Sequence, residues 1–386
     1  MKHSVTTTAN VRAHRMVIQA GDWRYHFDRT GRFLFGVRAH ETVRRGLDDR
    51  VIQVRLPAEG GIIGRTYRTL DPVEKAAFYR RAYALARASL GSLPAEQAAE
   101  WKPLLERWTP EALAADAHAF RQVYLPINIL PPDQYHALVV QITHGCSYNR
   151  CLFCDFYRDR RFHIKSKDEL QIHLDRLQRF MGPRIADRSG VFLGDGNAFV
   201  VPTDKLLSMM ELVREQLGSS VSEDFYTFMD TFTLEHKTPE DLRRIYEQGL
   251  RTVYTGLETG SNRLRAFLRK PGTAEEAVAA INRLKEAGYR IGVILMVGVG
   301  GPKFAREHLA ATRQALNGIH FTPGDLVYLS PFVDPHDTDY DEQARAHALS
   351  AFLDEQMEEE LARWRRALAS LPAKVTLYSI REHLYA

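Results

Sequence analysis

Six short apolar or β-branched runs alternate with amphipathic helical segments from residue 136 onwards. The runs lie at 137–143, 190–194, 225–231, 251–257, 290–299 and 325–333. Several of the helical segments have recognisable starts, which are the capping-box pairs Ser166/Glu169 and Thr273/Glu276 and the dipeptide Thr238-Pro239. Strands separated by crossover helices pair in parallel with right-handed connections. The pattern therefore predicts an α/β fold, a partial (β/α)6 TIM-like barrel.

The residues before the barrel have a different pattern. Two aromatic-rich runs about Thr30-Gly31 predict a hairpin over 23–38, and apolar residues at helical spacing predict helices over 71–91 and 94–124. A proline-rich connector follows at 124–135. We therefore expect a helical/hairpin domain over 1–125, a mainly helical N-terminal extension of the barrel.

The residues after the last predicted strand form a C-terminal segment. The barrel is expected to occupy 126–340, and 341–386 to hold a charged helix over 348–371. The final run, 374–386, is read as a closing strand or a short lid.

Composition limits the classes of partner. The chain of 386 residues is 45% hydrophobic, which is enough for a buried core. Its 52 Lys and Arg against 48 Asp and Glu give a net charge of +4, which does not indicate nucleic-acid binding. No apolar run is long enough to span a bilayer, and the N-terminus lacks the apolar core of a secretory signal. The expected location is the cytoplasm.

The three cysteines of the chain form one short motif, Cys146-x4-Cys151-x2-Cys154, directly after the first predicted strand. An odd number of cysteines within nine residues does not suit a disulfide framework. Three thiolates could hold three irons of a four-iron cluster. A zinc site completed by His144 or His163 is an alternative on these residues.

With its neighbouring motifs, the cysteine loop resembles that of the radical S-adenosylmethionine (radical SAM) superfamily. The resemblance covers about 136–333 and includes the aromatic Phe153 before the last cysteine. The commonest spacing in the family has three residues between the first two cysteines, whereas this chain has four. The resemblance implies a [4Fe–4S] cluster on the three cysteines and S-adenosylmethionine as cofactors, with Phe153 near the adenine.

Three further motifs at strand ends extend the resemblance. Gly194-Asp195-Gly196-Asn197 is similar to the family's glycine-rich motif for the methionine amino group, and Thr255–Ser261 to the G-L-E-S/T-G-S motif of one branch. In that branch Glu258 is implied to bind the ribose or the amino-acid part of the cofactor. The third motif resembles the apolar segment beside adenine and contributes Met296 and Gly298. Tight turns and a buried strand are the structural alternatives for these motifs.

Other polar residues near strand ends are candidates for contact with the substrate. We expect Tyr226 and Asp230 of strand three and Tyr328 of strand six to face the barrel interior as candidate catalytic residues. The segment Arg265-x4-Lys270-Pro271 also fits the branch, and we expect Arg265 and Arg269 to be solvated at the start of a helix.

The resemblance implies reductive cleavage of S-adenosylmethionine to a 5′-deoxyadenosyl radical, which abstracts hydrogen from a small organic substrate. Because no cysteine remains for an auxiliary cluster, rearrangement, elimination or decarboxylation is expected. An external one-electron donor such as flavodoxin or ferredoxin is an implied partner, and no membrane partner is expected. The alternatives are a zinc-stabilised binding module on a barrel scaffold and a radical SAM enzyme that modifies RNA.

Overall fold

The computed structural model describes residues 7–12, 15–57, 64–218, 221, 224–335 and 338–386. Its contacts divide the chain into two compact units. The first contains residues up to 128 together with 176–187 and 381–386, and the second contains 129–175 and 188–380.

The first unit begins with a seven-stranded antiparallel sheet in which each strand pairs with the next along the chain. Its strands are β1 (Thr7–Arg12), β2 (Arg15–Ala20), β3 (Trp23–Phe27), β4 (Phe33–Arg38), β5 (Glu41–Arg45), β6 (Val51–Arg55) and β7 (Thr66–Thr69). Three helices follow, α1 (Pro72–Ala88), α2 (Ala95–Glu106) and α3 (Pro110–Arg121). Met16 and Ile18 of β2 share one buried core with Tyr79 and Tyr83 of α1.

The prediction of a mainly helical N-terminal extension was wrong. The predicted hairpin is present as β3 and β4, but it is the middle of a larger sheet. The alternation of polar and apolar residues is hidden in β5, because this strand buries the charged Glu41 and Arg45. Arg45 of β5 is fully buried, with its guanidinium 3.1 Å from Asp49 Oδ1 and 3.2 Å from Asp116 Oδ2.

The second unit confirms the predicted α/β architecture. Its strands are β8 (Leu138–Gln141), β9 (Thr143–His144), β10 (His163–Ile164), β11 (Val191–Gly194), β12 (Phe225–Phe228), β13 (Leu250–Glu258), β14 (Arg290–Val297), β15 (Leu326–Pro331) and β16 (Lys374–Leu377). Seven of them form a parallel sheet in the order β8-β11-β12-β13-β14-β15-β16, while β9 and β10 pair as a two-residue antiparallel ribbon. The run 374–386 thus supplies a seventh parallel strand, which pairs with β15.

In the part of the chain that the structure describes, eight helices lie between these strands. They are α4 (Lys167–Met181), α5 (Thr203–Leu217), α6 (Pro239–Glu247), α7 (Asn262–Phe267), α8 (Ala274–Glu286), α9 (Gly301–Asn317), α10 (Tyr340–Ala346) and α11 (Asp354–Ala367). The capping box at Thr273 is formed, and Thr238 caps α6 with Pro239 in its first turn. Because the strands are parallel, the loops that follow β8, β11, β12, β13 and β14 meet at one edge of the sheet. Within the described ranges, no helix is long and apolar enough to cross a membrane.

Candidate cofactor site

The cysteine loop is held at both ends by the barrel. Gly145 begins the loop with a φ of +72°, and its backbone N donates a hydrogen bond to Asp195 Oδ2 at 3.1 Å. Further along, Leu152 N donates to the carbonyl of Leu268 at 3.0 Å. These contacts fix the cysteines relative to the ends of β11 and α7.

The fourth residue between the first two cysteines is accommodated by a local turn at Asn149. Its φ of +49° lies in the left-handed region, which asparagine tolerates better than most residues. The side-chain Nδ2 of Asn149 donates to the carbonyl of Tyr157 at 2.8 Å, and its backbone N lies 3.4 Å from Cys146 Sγ. The longer spacing therefore leaves Cys146 in contact with its own loop.

All three cysteines line one cavity of about 150 Å³, together with Asp230, Glu258 and Lys270. Each thiol is partly buried, and burial raises its pKa, to about 12 for Cys151. Thiolates in such surroundings need a cation as a partner, and an iron–sulfur cluster supplies one. Three thiols on the wall of one cavity can each bind one iron of a four-iron cluster.

A buried lysine lies among the acidic residues of the cavity. Lys270 is 8% exposed, and its Nζ is 3.7 Å from Glu258 Oε1 and 3.9 Å from Asp230 Oδ1. Burial raises the pKa of both carboxyls, and the ammonium opposes that rise. The same Nζ lies 5.8 Å from the ring centroid of Phe153. Sequence reasoning noticed Lys270 only as part of a motif and missed it as a site residue.

In the glycine-rich segment after β11, Gly196 lines the cavity and Asp195 does not. Gly196 lines the cavity, and a Cβ there would lie 2.8 Å from the Tyr157 ring. Asp195 instead accepts hydrogen bonds from Gln141 Nε2 at 2.7 Å, from the N of Gly145 and from Arg160 Nη1 at 3.2 Å. Its carboxylate therefore ties the cysteine loop to the sheet.

Some of the predicted cofactor-binding residues line the cavity and others lie outside its lining. Phe153, Glu258 and Met296 line the cavity with Gly196, whereas Gly194, Asp195, Asn197 and Gly298 do not. Asn197 is fully buried and donates to Thr233 Oγ1 at 3.0 Å. A Cβ on Gly298 would lie 2.3 Å from Met357 of α11, so this glycine allows a helix to approach.

Of the three candidate catalytic residues, the structure brings only Asp230 into the cavity lining. Asp230 Oδ2 is 3.9 Å from Cys146 Sγ. The hydroxyl of Tyr328 donates to Asp133 Oδ1 at 2.5 Å, and that of Tyr254 donates to the other oxygen of the same carboxylate. Tyr226 is also buried away from the cavity, where it packs on Gly190.

The expectation that Arg265 is solvated was wrong. Arg265 is 1% exposed, and its guanidinium donates to the carbonyls of Leu257, Pro271 and Gly272 at 2.8–2.9 Å. The group thus joins the end of β13 to the turn that follows Lys270. Arg269, by contrast, is exposed as expected.

A buried histidine lies behind the ends of β13 and β14. His308 Nε2 is 2.9 Å from the carbonyl of Met296, and Nδ1 is 2.8 Å from Thr259 Oγ1. Burial lowers the pKa of His308 from its ordinary 6.5 to about 4. The histidine is therefore neutral in the folded protein at pH 7.

We expect this histidine to make the stability of the chain fall as the pH is lowered. Between pH 6.5 and 4 the unfolded state binds the proton and the folded state does not, so the free energy of unfolding decreases in this window. For His308 alone the loss between pH 7 and 5 is about 2 kcal/mol. Urea unfolding of the metal-free protein should show the stability difference between wild type and His308→Gln shrinking by that amount. A difference that is constant from pH 7 to 5 would contradict the expectation.

The sequence of the chain is similar to that of known proteins. A sequence profile of the radical SAM superfamily matches residues 140–316. An uncharacterized methyltransferase of Pyrococcus horikoshii is 24% identical over 213 residues, which cover 53% of this chain and 43% of that protein. The chain therefore spans less than half the length of this curated relative.

Three solved structures are similar over much of the chain. Methylornithine synthase has a TM-score of 0.40 at 15% identity and covers 75% of this chain and 74% of its own. HydG, a maturase of the [FeFe]-hydrogenase, has a TM-score of 0.44 at 13% identity and covers 80% and 64%. Coproporphyrinogen III oxidase of Escherichia coli, a radical SAM enzyme, has a TM-score of 0.42 at 16% identity and covers 60% and 52%. Residues 140–316, which contain the Cys146-x4-Cys151-x2-Cys154 loop, match the profile of the radical SAM superfamily, whose enzymes use a [4Fe–4S] cluster and S-adenosylmethionine.

Proposed function

We propose that the chain is a radical enzyme acting on a small organic substrate, with Cys146, Cys151 and Cys154 as the ligands of its [4Fe–4S] cluster. The observation that carries the proposal is the meeting of three thiols and the buried Lys270 in one cavity at the carboxyl edge of the sheet. When bound, the cluster and S-adenosylmethionine supply one-electron cleavage of the sulfonium and a 5′-deoxyadenosyl radical for hydrogen abstraction. The electron comes from an external donor such as flavodoxin or ferredoxin.

The residues of the chain then have separate roles in binding and orientation. In this proposal the ammonium of Lys270 would pair with the carboxylate of S-adenosylmethionine. Glu258 would accept hydrogen bonds from the hydroxyl or amino groups of the same cofactor. Phe153 and Met296 add apolar surface to the cavity lining. Asp195 holds the cysteine loop and does not itself face the ligand.

The rest of the cavity offers a surface that suits radical chemistry. Its further lining is mainly apolar and comes from several strand ends: Phe228, Met229, Ile294, Pro331, Phe332, Val333. An apolar wall protects a reactive intermediate from side reactions. The only three cysteines lie in the loop, so we propose a reaction that needs no auxiliary cluster: rearrangement, elimination or decarboxylation.

Anaerobic reconstitution tests the proposal against its alternatives. We expect a brown protein with about four irons per chain that converts S-adenosylmethionine to 5′-deoxyadenosine under reduction. A colourless protein with one zinc and no cleavage would favour a zinc-stabilised module instead. Salt-dependent retention of RNA would favour an RNA substrate.

Replacing Lys270 by methionine is expected to raise the KM for S-adenosylmethionine roughly 10- to 100-fold. The variant removes the charged partner of the ligand carboxylate, and charge-assisted hydrogen bonds contribute about 1.5–3 kcal/mol. Steady-state formation of 5′-deoxyadenosine measures the effect. Arg269→Met, at the exposed neighbouring position, is the matched control and should leave the KM unchanged. An unchanged KM in Lys270→Met would remove Lys270 from the binding site.

A further inference from the structure

His308 of α9 joins two strand ends that contribute to the cavity, without lining the cavity itself. Its Nε2 meets the carbonyl of Met296 at the end of β14, and its Nδ1 meets the hydroxyl of Thr259 just after β13. Met296 lines the cavity, and so does Glu258, which directly precedes Thr259. One buried ring therefore spans the backs of two adjacent cofactor-facing segments.

The hydrogen bonds of His308 assign its tautomer. The carbonyl of Met296 can only accept, so Nε2 carries the proton and Nδ1 is the acceptor. The hydroxyl of Thr259 therefore donates to Nδ1 at 2.8 Å. Burial keeps the pKa of the ring near 4, so this arrangement holds at neutral pH.

The backbone next to Thr259 needs such support. Glu258 has a φ of +63°, which is unfavourable for a side chain of its size, and the pairing of β13 with β14 shifts register between Gly256 and Glu258. The N of Gly260 donates to Thr312 Oγ1, one helical turn after His308, at 2.9 Å. Two side chains of α9 thus hold the residues that follow Glu258.

The ring of His308 is in turn fixed by α11. The Trp364 ring packs edge-on against it with centroids 4.7 Å apart, and Trp364 Nε1 donates to Glu360 Oε1 at 2.8 Å. Both rings are completely or almost completely buried. A helix beyond the profile match therefore helps to set the orientation of His308.

We propose that His308 is a positioning residue that fixes Glu258 relative to Met296 and thereby sets the affinity for S-adenosylmethionine. The inference rests on the proposed function. In this proposal, the contact between α9 and the ends of β13 and β14 supports the residues that bind S-adenosylmethionine.

Hydrogen exchange of the metal-free protein tests the positioning role without any cofactor. In His308→Leu we expect the amides of Gly260 and Ser261 to exchange at least tenfold faster than in wild type. Tyr289→Phe is the matched control. Tyr289 directly precedes β14, at the end of the strand opposite to Met296, and its hydroxyl donates a buried hydrogen bond to the carbonyl of Leu242. It should leave the exchange of the two amides unchanged. Equal exchange in wild type and His308→Leu would overturn the proposal.

Binding measurements on the reconstituted protein form the second test. His308→Leu should keep the iron content of wild type and raise the KM for S-adenosylmethionine at least tenfold, whereas Tyr289→Phe should not. His308→Gln offers a donor and an acceptor again and should restore the KM to within about threefold. An equal rise in KM in Tyr289→Phe would show a general loss of stability and overturn the specific role.

A third variant covers the case in which His308→Leu does not fold. Thr259→Val removes the nearer of the two hydroxyls that face Nδ1, the other being that of Thr312 at 3.2 Å. Because the N of Ser261 donates to the same Thr259 hydroxyl, only the exchange of Gly260 is compared, and it should be at least threefold faster. Unchanged exchange in that variant would also overturn the proposal. If wild-type protein with four irons fails to cleave S-adenosylmethionine, the proposed function is wrong. Hydrogen exchange of the metal-free protein still tests whether His308 positions the residues after Glu258.

Discussion

Replacing any one of Cys146, Cys151 and Cys154 by alanine is expected to lower the iron content from about four to below about one per chain and to abolish formation of 5′-deoxyadenosine. Each cysteine supplies the single protein ligand of one iron in the proposed site. The sequence has no other cysteine that could replace the lost ligand. Iron analysis and the absorbance of the anaerobically reconstituted variants measure the loss.

Two control variants separate the cluster from a zinc site. Ser147→Ala changes an exposed residue of the same loop and should keep the iron of wild type. His144→Ala should also keep it, because a three-thiolate cluster does not use an imidazole. Release of one zinc per chain from His144→Ala, with no iron bound to wild type, would contradict the cluster and support the zinc-stabilised alternative.

The position of the cysteine loop at a strand end could be predicted from the sequence, since strands and the loops between them are local features. The six apolar runs fall on the six strands β8, β11, β12, β13, β14 and β15. Once these strands pair in parallel, their carboxyl ends must meet, and the cysteines directly after β8 and β9 lie at that edge. Glu258 ends β13 and Asp230 follows β12, so both residues also lie at the carboxyl ends of strands.

The roles of individual polar side chains depended on tertiary contacts and were harder to predict. A basic residue near a helix start is usually solvated, yet Arg265 is buried because three carbonyls surround it. Asp195 follows a strand as predicted, but donors from the cysteine loop occupy its carboxylate. Tyr328 lies on a strand as predicted, but its hydroxyl donates a hydrogen bond to Asp133 Oδ1 and does not line the cavity. None of these partners is adjacent in sequence.

Replacing Arg265 by leucine is expected to destabilise the chain by about 4 kcal/mol. The change leaves the carbonyls of Leu257, Pro271 and Gly272 without their donor in a buried region. Each buried acceptor without a partner costs about 1–3 kcal/mol. Burying the charged guanidinium is itself unfavourable and lowers the pKa of Arg265. Its removal therefore offsets part of the loss of stability. Urea unfolding of the metal-free protein measures the difference.

The exposed neighbour provides the control for this change. Arg269→Leu should alter the free energy of unfolding by no more than about 0.5 kcal/mol. Arg265→Lys can offer an ammonium to the same carbonyls but not the planar fork of a guanidinium, so it should recover only part of the stability. A loss below about 1 kcal/mol in Arg265→Leu would mean that water or backbone movement satisfies the three carbonyls. Because one of these carbonyls belongs to Leu257, next to Glu258, the same variant should also weaken binding of S-adenosylmethionine.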